Sequence, residues 1–559
     1  MFKDILMRNT RYLIVFSLLL LTFFVQAQEP YNILWLSCED IDPTLSCYGT
    51  EGIETPNIDR LAKEGIKYTN AYSTVGVCAP SRSSIITGMY PVSIGTHNMR
   101  TAKHVVYNGI DGETYPSHQA ITGKHGRNIP AYSAVLPAEV KCFTEYLRNA
   151  GYFCTNNAKC DYQFYPPFTA WDENGKKAGY ENTPVGMPFF SVYNHEVSHE
   201  SRIWKKAKDP MLVNPEELKI PAYFPDLPVV RKDVARKYSN IEELDALIGQ
   251  RLDKLEKEGL LDKTIIFFWS DHGGPLLRQK RAVGNTGLHV PLIVRFPDGR
   301  DAGTVNEDLV SLMDLAPTVL SLAGIKPPEH MQGKAFLGAY KDEKREAVFG
   351  SADRFDEIYD FSRSVIDGKF SYIRNLDPGT PLIYRNQYRE QIEMTSVLIE
   401  MDKNEELTDG AAYIFKDTRE VEELYDLEND PYEVNNLAHD PAYKEQLQKM
   451  RKQLADWQLE IGDKGLIDEY NLVQMFWPNL IQPSTADVMV AKSNKGIVLS
   501  SATKGASIGY QIDDQIGGNR WMLYKEPIKL KVGQKMVTRA KRIGYKTSQP
   551  VIYLNVNNN

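Results

Sequence analysis

Two near-continuous apolar runs dominate the hydrophobic pattern of this chain. "YNILWLSCED" ends on Glu39 and Asp40, and "KTIIFFWSDHGG" ends on Asp271, His272 and Gly273. Runs that are apolar at every position predict strands buried on both faces, as in α/β folds. Between them the period changes. Val234, Tyr238, Ile241, Leu244, Leu247, Ile248, Leu252 and Leu255 recur at helical spacing and predict an amphipathic helix ahead of the second strand. "VKCFTEYLRNAGYFCTNN" predicts another helix, closed by Gly151, and then a strand. Strand alternating with helix makes a doubly wound α/β sheet the expected architecture.

The texture shifts twice further on. Residues 346–478 hold strand-like "FSRSVIDGKFSYIRN" and helical "YKEQLQKMRKQLADWQLE", a smaller α+β subdomain on the main sheet. After Pro478 come short alternating runs with turn residues between them, which predict a small all-β module over residues 484–559. The catalytic α/β domain is then expected at residues 28–345. Residues 1–27 look like a signal peptide: Arg8 and Arg11, the run "LIVFSLLLLTFFV", and small residues before Gln28. That run is short for a bilayer span, and no second candidate follows, so an exported mature protein without a membrane span is expected. A net charge of -8 argues against a nucleic-acid partner. The six cysteines fit no dense disulfide scaffold, and no bridge is assigned.

Both acidic pairs fall at the carboxyl ends of their strands, where α/β sheets bind ligands. A single such pair reads equally well as loop or capping residues; two at matching positions point to a hard divalent cation between their oxygens. A third stretch, "VCAPSRSSIITG" from Val77 to Gly88, sets a lone thiol, Cys78, two residues before a proline at a helix start. Taken alone, that thiol is core filler, nucleophile, metal ligand or precursor. At a helix N-terminus the free N–H groups favour an anion.

Cys-Ala-Pro-Ser-Arg, followed by Thr87-Gly88, resembles the signature of the formylglycine-dependent sulfatases. Accompanying motifs stand in the family's order: "NILWLSCEDIDPTLSCYG", "TPNIDRLAKEGIKYTNAYS", "GYFCTNNAKCDYQF", "PFFSVYNHEVSH", "FFWSDHGG" and "GLHVPLIVRFP". The resemblance implies an alkaline-phosphatase-like mixed sheet and oxidation of Cys78 to formylglycine by a sulfatase-maturating enzyme. It implies Glu39, Asp40, Asp271 and His272, with residue 78, as ligands of Ca²⁺, with Mg²⁺ as second choice. It implies that Arg82 holds the nucleophile, that Lys159 and Lys280 hold sulfate oxygens, and that His199 is the general acid.

Stretches such as "AVFGSADRF" and "EELYDLENDPYEVNNLAHDP" are similar to the heparan N-sulfatase (N-sulfoglucosamine sulfohydrolase) branch. Two positions depart from the family pattern. Asp161 stands where a histidine is usual, and His289 where an arginine is usual. Asp161 reads equally as a sugar-binding acceptor and as a buried structural carboxylate. His97, Arg100, His104 and Arg354 are further candidate sugar contacts. The final β module resembles an accessory domain of some hexosaminidases. The expected function is removal of sulfate from a saccharide, either N-sulfoglucosamine or an O-sulfated glycosaminoglycan or algal polysaccharide such as ulvan. The leader resembles those of polysaccharide-degrading Bacteroidetes, so the periplasm is expected, with secretion as the alternative. Competing readings are a phosphomonoester or phosphonate hydrolase of the same superfamily and a glycan-binding pseudoenzyme that keeps Cys78 as a thiol.

Overall fold

The computed structural model describes residues 30–101, 121–356 and 358–556. The expected leader at residues 1–27 and the candidate contact His104 lie outside the described residues. From Asn32 onward the described chain is built on a nine-stranded sheet. Eight of its strands are β1 (Asn32–Cys38), β2 (Ile66–Tyr72), β3 (Phe153–Asn157), β4 (Glu173–Asn174), β5 (Phe189–His195), β6 (Thr264–Ser270), β7 (His289–Arg295) and β8 (Thr304–Asn306). They lie in the order β8-β2-β7-β6-β1-β5-β3-β4, and Val310–Ser311 pairs alongside β2. The central β1 runs parallel to both β5 and β6, whereas β7 runs antiparallel to β2 and β6. The sheet is therefore mixed, as the family resemblance implied.

The apolar runs become the centre of this sheet because both faces are covered. Ile33, Leu34, Trp35 and Leu36 of β1 and Ile265 to Trp269 of β6 are all buried. Trp35 meets Trp269 edge-on at 5.3 Å and Phe190 at 5.0 Å. Register then does the positioning. Cys38 pairs with Ser270 on one side and His195 on the other, so the segments after β1 and β6 leave the sheet side by side.

Helix α1 spans Pro56–Glu64, α2 spans Cys78–Thr87 and α3 spans Pro228–Lys257. The face of α3 carrying Val234, Ile241, Leu244, Ile248, Leu252 and Leu255 is buried, each side chain contributing about 1.5–3 kcal/mol. Leu247 lies off that stripe and is 38% exposed, so it does not share the core role its spacing suggested.

A second, antiparallel sheet follows in the order β9 (Val348–Phe355), β10 (Ile358–Ile366), β11 (Phe370–Asn375) and β12 (Glu422–Asp426). Helix α4 spans Glu393–Lys403 and packs against α3; α5 spans Lys444–Ile461. Leu447, Met450, Leu454 and Trp457 of α5 cover the second sheet through Val365, Tyr372 and Leu424. Beyond residue 484, a two-stranded ladder and a four-stranded antiparallel sheet enclose a small core of Val488, Ile497, Leu499, Met536 and Ala540. Lys141 donates to Ser507 at 2.8 Å, and Phe168 meets Trp521 at 5.0 Å, which docks these strands on the main body. All six cysteines are free thiols. Among the described residues no helix is long and apolar enough to cross a membrane.

Candidate active site

Cys78 opens α2 as its first helical residue and is fully buried. The preceding loop is held by a close backbone approach: Arg281 N–H donates to the Gly76 carbonyl at 2.7 Å, and a Cβ on Gly76 would lie 2.2 Å from the Ala282 oxygen. Only glycine fits there. The Cys78 sulfur lies 3.4 Å from Nε2 of His272 and 3.9 Å from Oδ1 of Asp40, between the two acidic segments.

Arg82, one turn further along α2, ties those segments together. Its Nε donates to Asp271 Oδ2 at 3.0 Å, Nη2 to Glu39 Oε1 at 3.2 Å and Nη1 to Asn194 Oδ1 at 2.7 Å. Lys159 reaches Glu39 Oε1 at 2.6 Å and Asp161 Oδ2 at 3.6 Å. Lys280 donates to both oxygens of Asp40, at 2.9 and 2.7 Å. Burial penalises the Asp40 carboxylate, yet Lys280, His199 and His272 outweigh it and hold the group well below the usual carboxylate range. For Glu39 the balance reverses. Burial raises it further than Lys159 and Arg82 lower it.

Backbone groups orient both histidines. The Ser201 backbone N–H donates to His199 Nδ1 at 3.2 Å, so the neutral ring carries its proton on Nε2, which lies 3.9 Å from Glu39. Burial, then Lys280, hold this imidazole neutral, well below its ordinary range. His272 is oriented the other way: Nδ1–H donates to the Gly273 carbonyl at 2.9 Å, which aims Nε2 at Asp40 Oδ1, 3.0 Å away. Burial opposes its charge, but Asp271 and Asp40 push His272 up to about 10.

The donor set fits a hard divalent cation. Ligand atoms of Glu39, Asp40, Cys78 and His199 lie within 4.8 Å of one another, as do those of Cys78, Asp271 and His272. Three carboxylates, with an imidazole whose far nitrogen is fixed by a carbonyl, are the first and outer shells such an ion needs. Asp40, Arg100, Asp161 and Arg281 all have positive φ, between 54° and 76°. Non-glycine residues in that region cost about 1–3 kcal/mol each and cluster at active sites.

The candidate sugar contacts divide. Arg100 joins the cluster, donating to Asp161 at 3.0 Å, and its side chain is 35% exposed. Asp161 itself is buried and paired, held below the usual range by Arg100 and Lys159 against burial. His97 is buried beside Asp353 in a different cavity. Arg354 lines that cavity too but is engaged within the protein: Nε and Nη2 pair with Glu469 at 2.6 and 2.8 Å, and Nη1 donates to the Met99 and Asp356 carbonyls. His289 is likewise turned away, stacked on Tyr72 at 4.8 Å with Nε2–H donating to the Thr69 carbonyl at 2.7 Å.

Four participants escaped the sequence reading. Glu200 sits between Lys280 and Arg281, at 3.2 and 3.0 Å, while its N–H donates to Asp40 at 2.6 Å. Asp356 pairs with Arg281 at 3.0 Å, and Asn194 receives Arg82. The available signal was adjacency: Glu200 follows His199, and Arg281 follows Lys280.

Residues 31–325, more than half the chain, match the family model described as Sulfatase. An ulvan-active sulfatase of Formosa agariphila is 40% identical, the alignment covering 94% of this chain and 91% of that one. Human N-sulphoglucosamine sulphohydrolase is 27% identical over 80% of this chain and 93% of its own length. A solved phosphonate monoester hydrolase from Silicibacter pomeroyi superposes with a TM-score of 0.52 at 16% identity, covering 85% of this chain and all of that one, a likeness of fold alone. The fold is therefore shared with phosphonate chemistry, and the extended sequence identity makes the assignment: this chain belongs to the sulfatase family.

Proposed function

We propose that this protein is an exported sulfatase that hydrolyses sulfate esters of a sulfated polysaccharide, with residue 78 as formylglycine and Ca²⁺ as its cation. The observation that carries the reading is the seat of Cys78 in the first turn of α2, within 3.9 Å of both Asp40 and His272. The oxygen-rich ligand set favours Ca²⁺, with Mg²⁺ second; the His272 imidazole is its softest donor. Bound there, the cation supplies Lewis-acid polarisation and lowers the pKa of a nucleophilic hydroxyl. A formylglycine at residue 78, when hydrated, would supply a nucleophilic hydroxyl together with a second hydroxyl through which sulfate could be released.

The chain's own side chains do the rest. Arg82 locks the two acidic segments to α2 and so fixes residue 78 against them. Lys159 and Lys280 offer compact ammonium charges to the sulfate oxygens. His199 is the acid for the departing oxygen: a bound sulfate offsets the Lys280 charge that holds the ring neutral, and the imidazolium, with Nδ1–H on Ser201 Oγ at 2.9 Å, delivers the Nε2 proton. The rim where Arg100 and Tyr388 reach solvent receives the sugar; Tyr388 is 41% exposed, with its ring 6.4 Å from His199. The identity to an ulvan-active relative over nearly the whole chain favours an ulvan-type O-sulfate over N-sulfoglucosamine. The leader at residues 1–27 directs the chain to the periplasm.

The test is mass spectrometry of the peptide carrying residue 78, from a host that matures sulfatases, joined to sulfate release from ulvan oligosaccharides and N-sulfoglucosamine. Conversion of Cys78 to an aldehyde exchanges sulfur and two hydrogens for one oxygen. Its appearance, with sulfate release exceeding phosphate-ester turnover, is the expected outcome. An unmodified thiol in such a host, or faster phosphate-ester turnover, overturns the reading.

A further inference from the structure

A small cavity of about 30 Å³ is lined by Arg278, Lys280, Arg281, Arg389 and Arg419 together with Asp360, Glu423 and Glu433. Arg278 and Arg389 are 5% and 2% exposed, and each has two guanidinium nitrogens, Nε and Nη1, without a hydrogen-bond partner. Their remaining nitrogens are used by backbone: Arg278 Nη2 donates to the Glu433 carbonyl, and Arg389 Nη2 to the Lys280 carbonyl at 3.0 Å. Among the described residues lining this cavity, every fully buried unpartnered side-chain polar atom is a donor.

Most carboxylate oxygens lining the cavity are already engaged. Asp360 receives Ser362 and Arg419 at 2.6 and 2.9 Å. Glu423 receives Asn375 and Tyr425 at 2.6 and 2.5 Å, and Glu433 receives the Asn285 N–H at 2.9 Å. Among the described residues, neither Arg278 nor Arg389 has a carboxylate within ion-pair distance, whereas Arg281 and Arg419 do. Buried donors left unpaired cost about 1–3 kcal/mol each, more when charged, so such groups normally hold a water or an ion. A water brings two protons that need acceptors of their own. An anion brings none.

We propose that this cavity is a binding site for one chloride-sized monovalent anion, held by the free N–H groups of Arg278 and Arg389. The volume admits one such ion. Burial first and Arg281 next hold Arg389 down to about 10, the condition an adjacent negative charge relieves. The consequence reaches the reaction centre through one bond. Arg389, fixed by the ion, holds the main chain of Lys280, whose ammonium lies on Asp40. Arg389 is thus a positioning residue, and the ion would act as a structural effector independent of sulfate chemistry.

The test uses the full chain and bromide as probe. Crystals grown with sodium bromide should give an anomalous peak between Arg278 and Arg389. Thermal stability at fixed ionic strength should rise saturably with bromide or chloride relative to gluconate, and Arg389→Gln should weaken that apparent affinity by about tenfold or more. No anomalous peak in the wild-type crystal, or identical melting in bromide, chloride and gluconate, overturns the proposal. If Arg389→Gln does not fold, the wild-type crystal still decides. Neither readout depends on turnover, so failure here is distinct from failure of the sulfatase reading.

Discussion

The Cys78 sulfur and Nε2 of His272 are 3.4 Å apart, and the other nitrogen of that ring is fixed on the Gly273 carbonyl. Once an incoming cation displaces the Nε2 proton that Asp40 and Asp271 hold on the ring, a ring pinned on one side by a carbonyl would present a directed lone pair on the other, the usual preparation of a histidine ligand. Ca²⁺ should therefore raise the melting temperature of the wild-type protein saturably, and a chelator should abolish sulfate release. His272→Ala is expected to weaken the ion at least about tenfold, read from the Ca²⁺ dependence of melting. Melting indifferent to Ca²⁺ and Mg²⁺ alike would count against the metal site.

Proton delivery by His199 has its own signature. The acid is the imidazolium, its Nδ1–H on Ser201 Oγ at 2.9 Å and its transferable proton on Nε2. His199→Gln should lower kcat by about 10²–10⁴-fold for a sugar sulfate, whose leaving alkoxide needs a proton. With an activated aryl sulfate the loss should be much smaller, because the phenolate leaves unaided. Equal losses on both substrates would mean that His199 positions the sulfate and does not act as the acid.

Arg354 and Glu469 form a bidentate pair, each about 2% exposed or less. Breaking a buried pair by removing one partner strands the other charge, at about 3–5 kcal/mol. Arg354→Met is expected to lower melting markedly while leaving KM for an oligosaccharide unchanged in the surviving folded enzyme. A raised KM without loss of stability would restore Arg354 to the sugar site.

These contrasts show where sequence reasoning reached and where it stopped. The acidic pairs were legible because strand ends are local features, and parallel pairing of β1 with β6 in matched register brings them together. Lys159, His199 and Lys280 were legible only through motif order; nothing local sets them apart from surface charges. The pairing of Arg354 was not legible because its partner lies 115 residues away, and an isolated arginine carries no mark of whether it faces a sugar or a carboxylate. Glu200 and Asp356 went unseen for the same reason, since a charge that balances Lys280 and Arg281 is defined by folding alone. The donor surplus around Arg278 and Arg389 is also a property of the folded chain.

Asp233 offers a test of the scaffold away from the reaction centre. On α3 it is 2% exposed, and its Oδ2 accepts the Met394 N–H at 2.8 Å, capping the first turn of α4 from outside. Burial raises its pKa to about 6, against the opposing pull of that N–H and of Lys232, while Glu393 adds to the rise. Between the ordinary carboxylate range near 4 and about 6, the folded state binds the proton that the unfolded state has lost. The contribution of Asp233 to stability therefore declines as pH rises through that window and is flat above it. Asparagine keeps the acceptor and drops the charge. Asp233→Asn should be nearly neutral at pH 4 and stabilising by up to about 3 kcal/mol at pH 7. Denaturant unfolding of both proteins across that range measures the difference; a variant less stable at pH 7 than at pH 4, relative to wild type, would show that the carboxylate is favoured in its charged form.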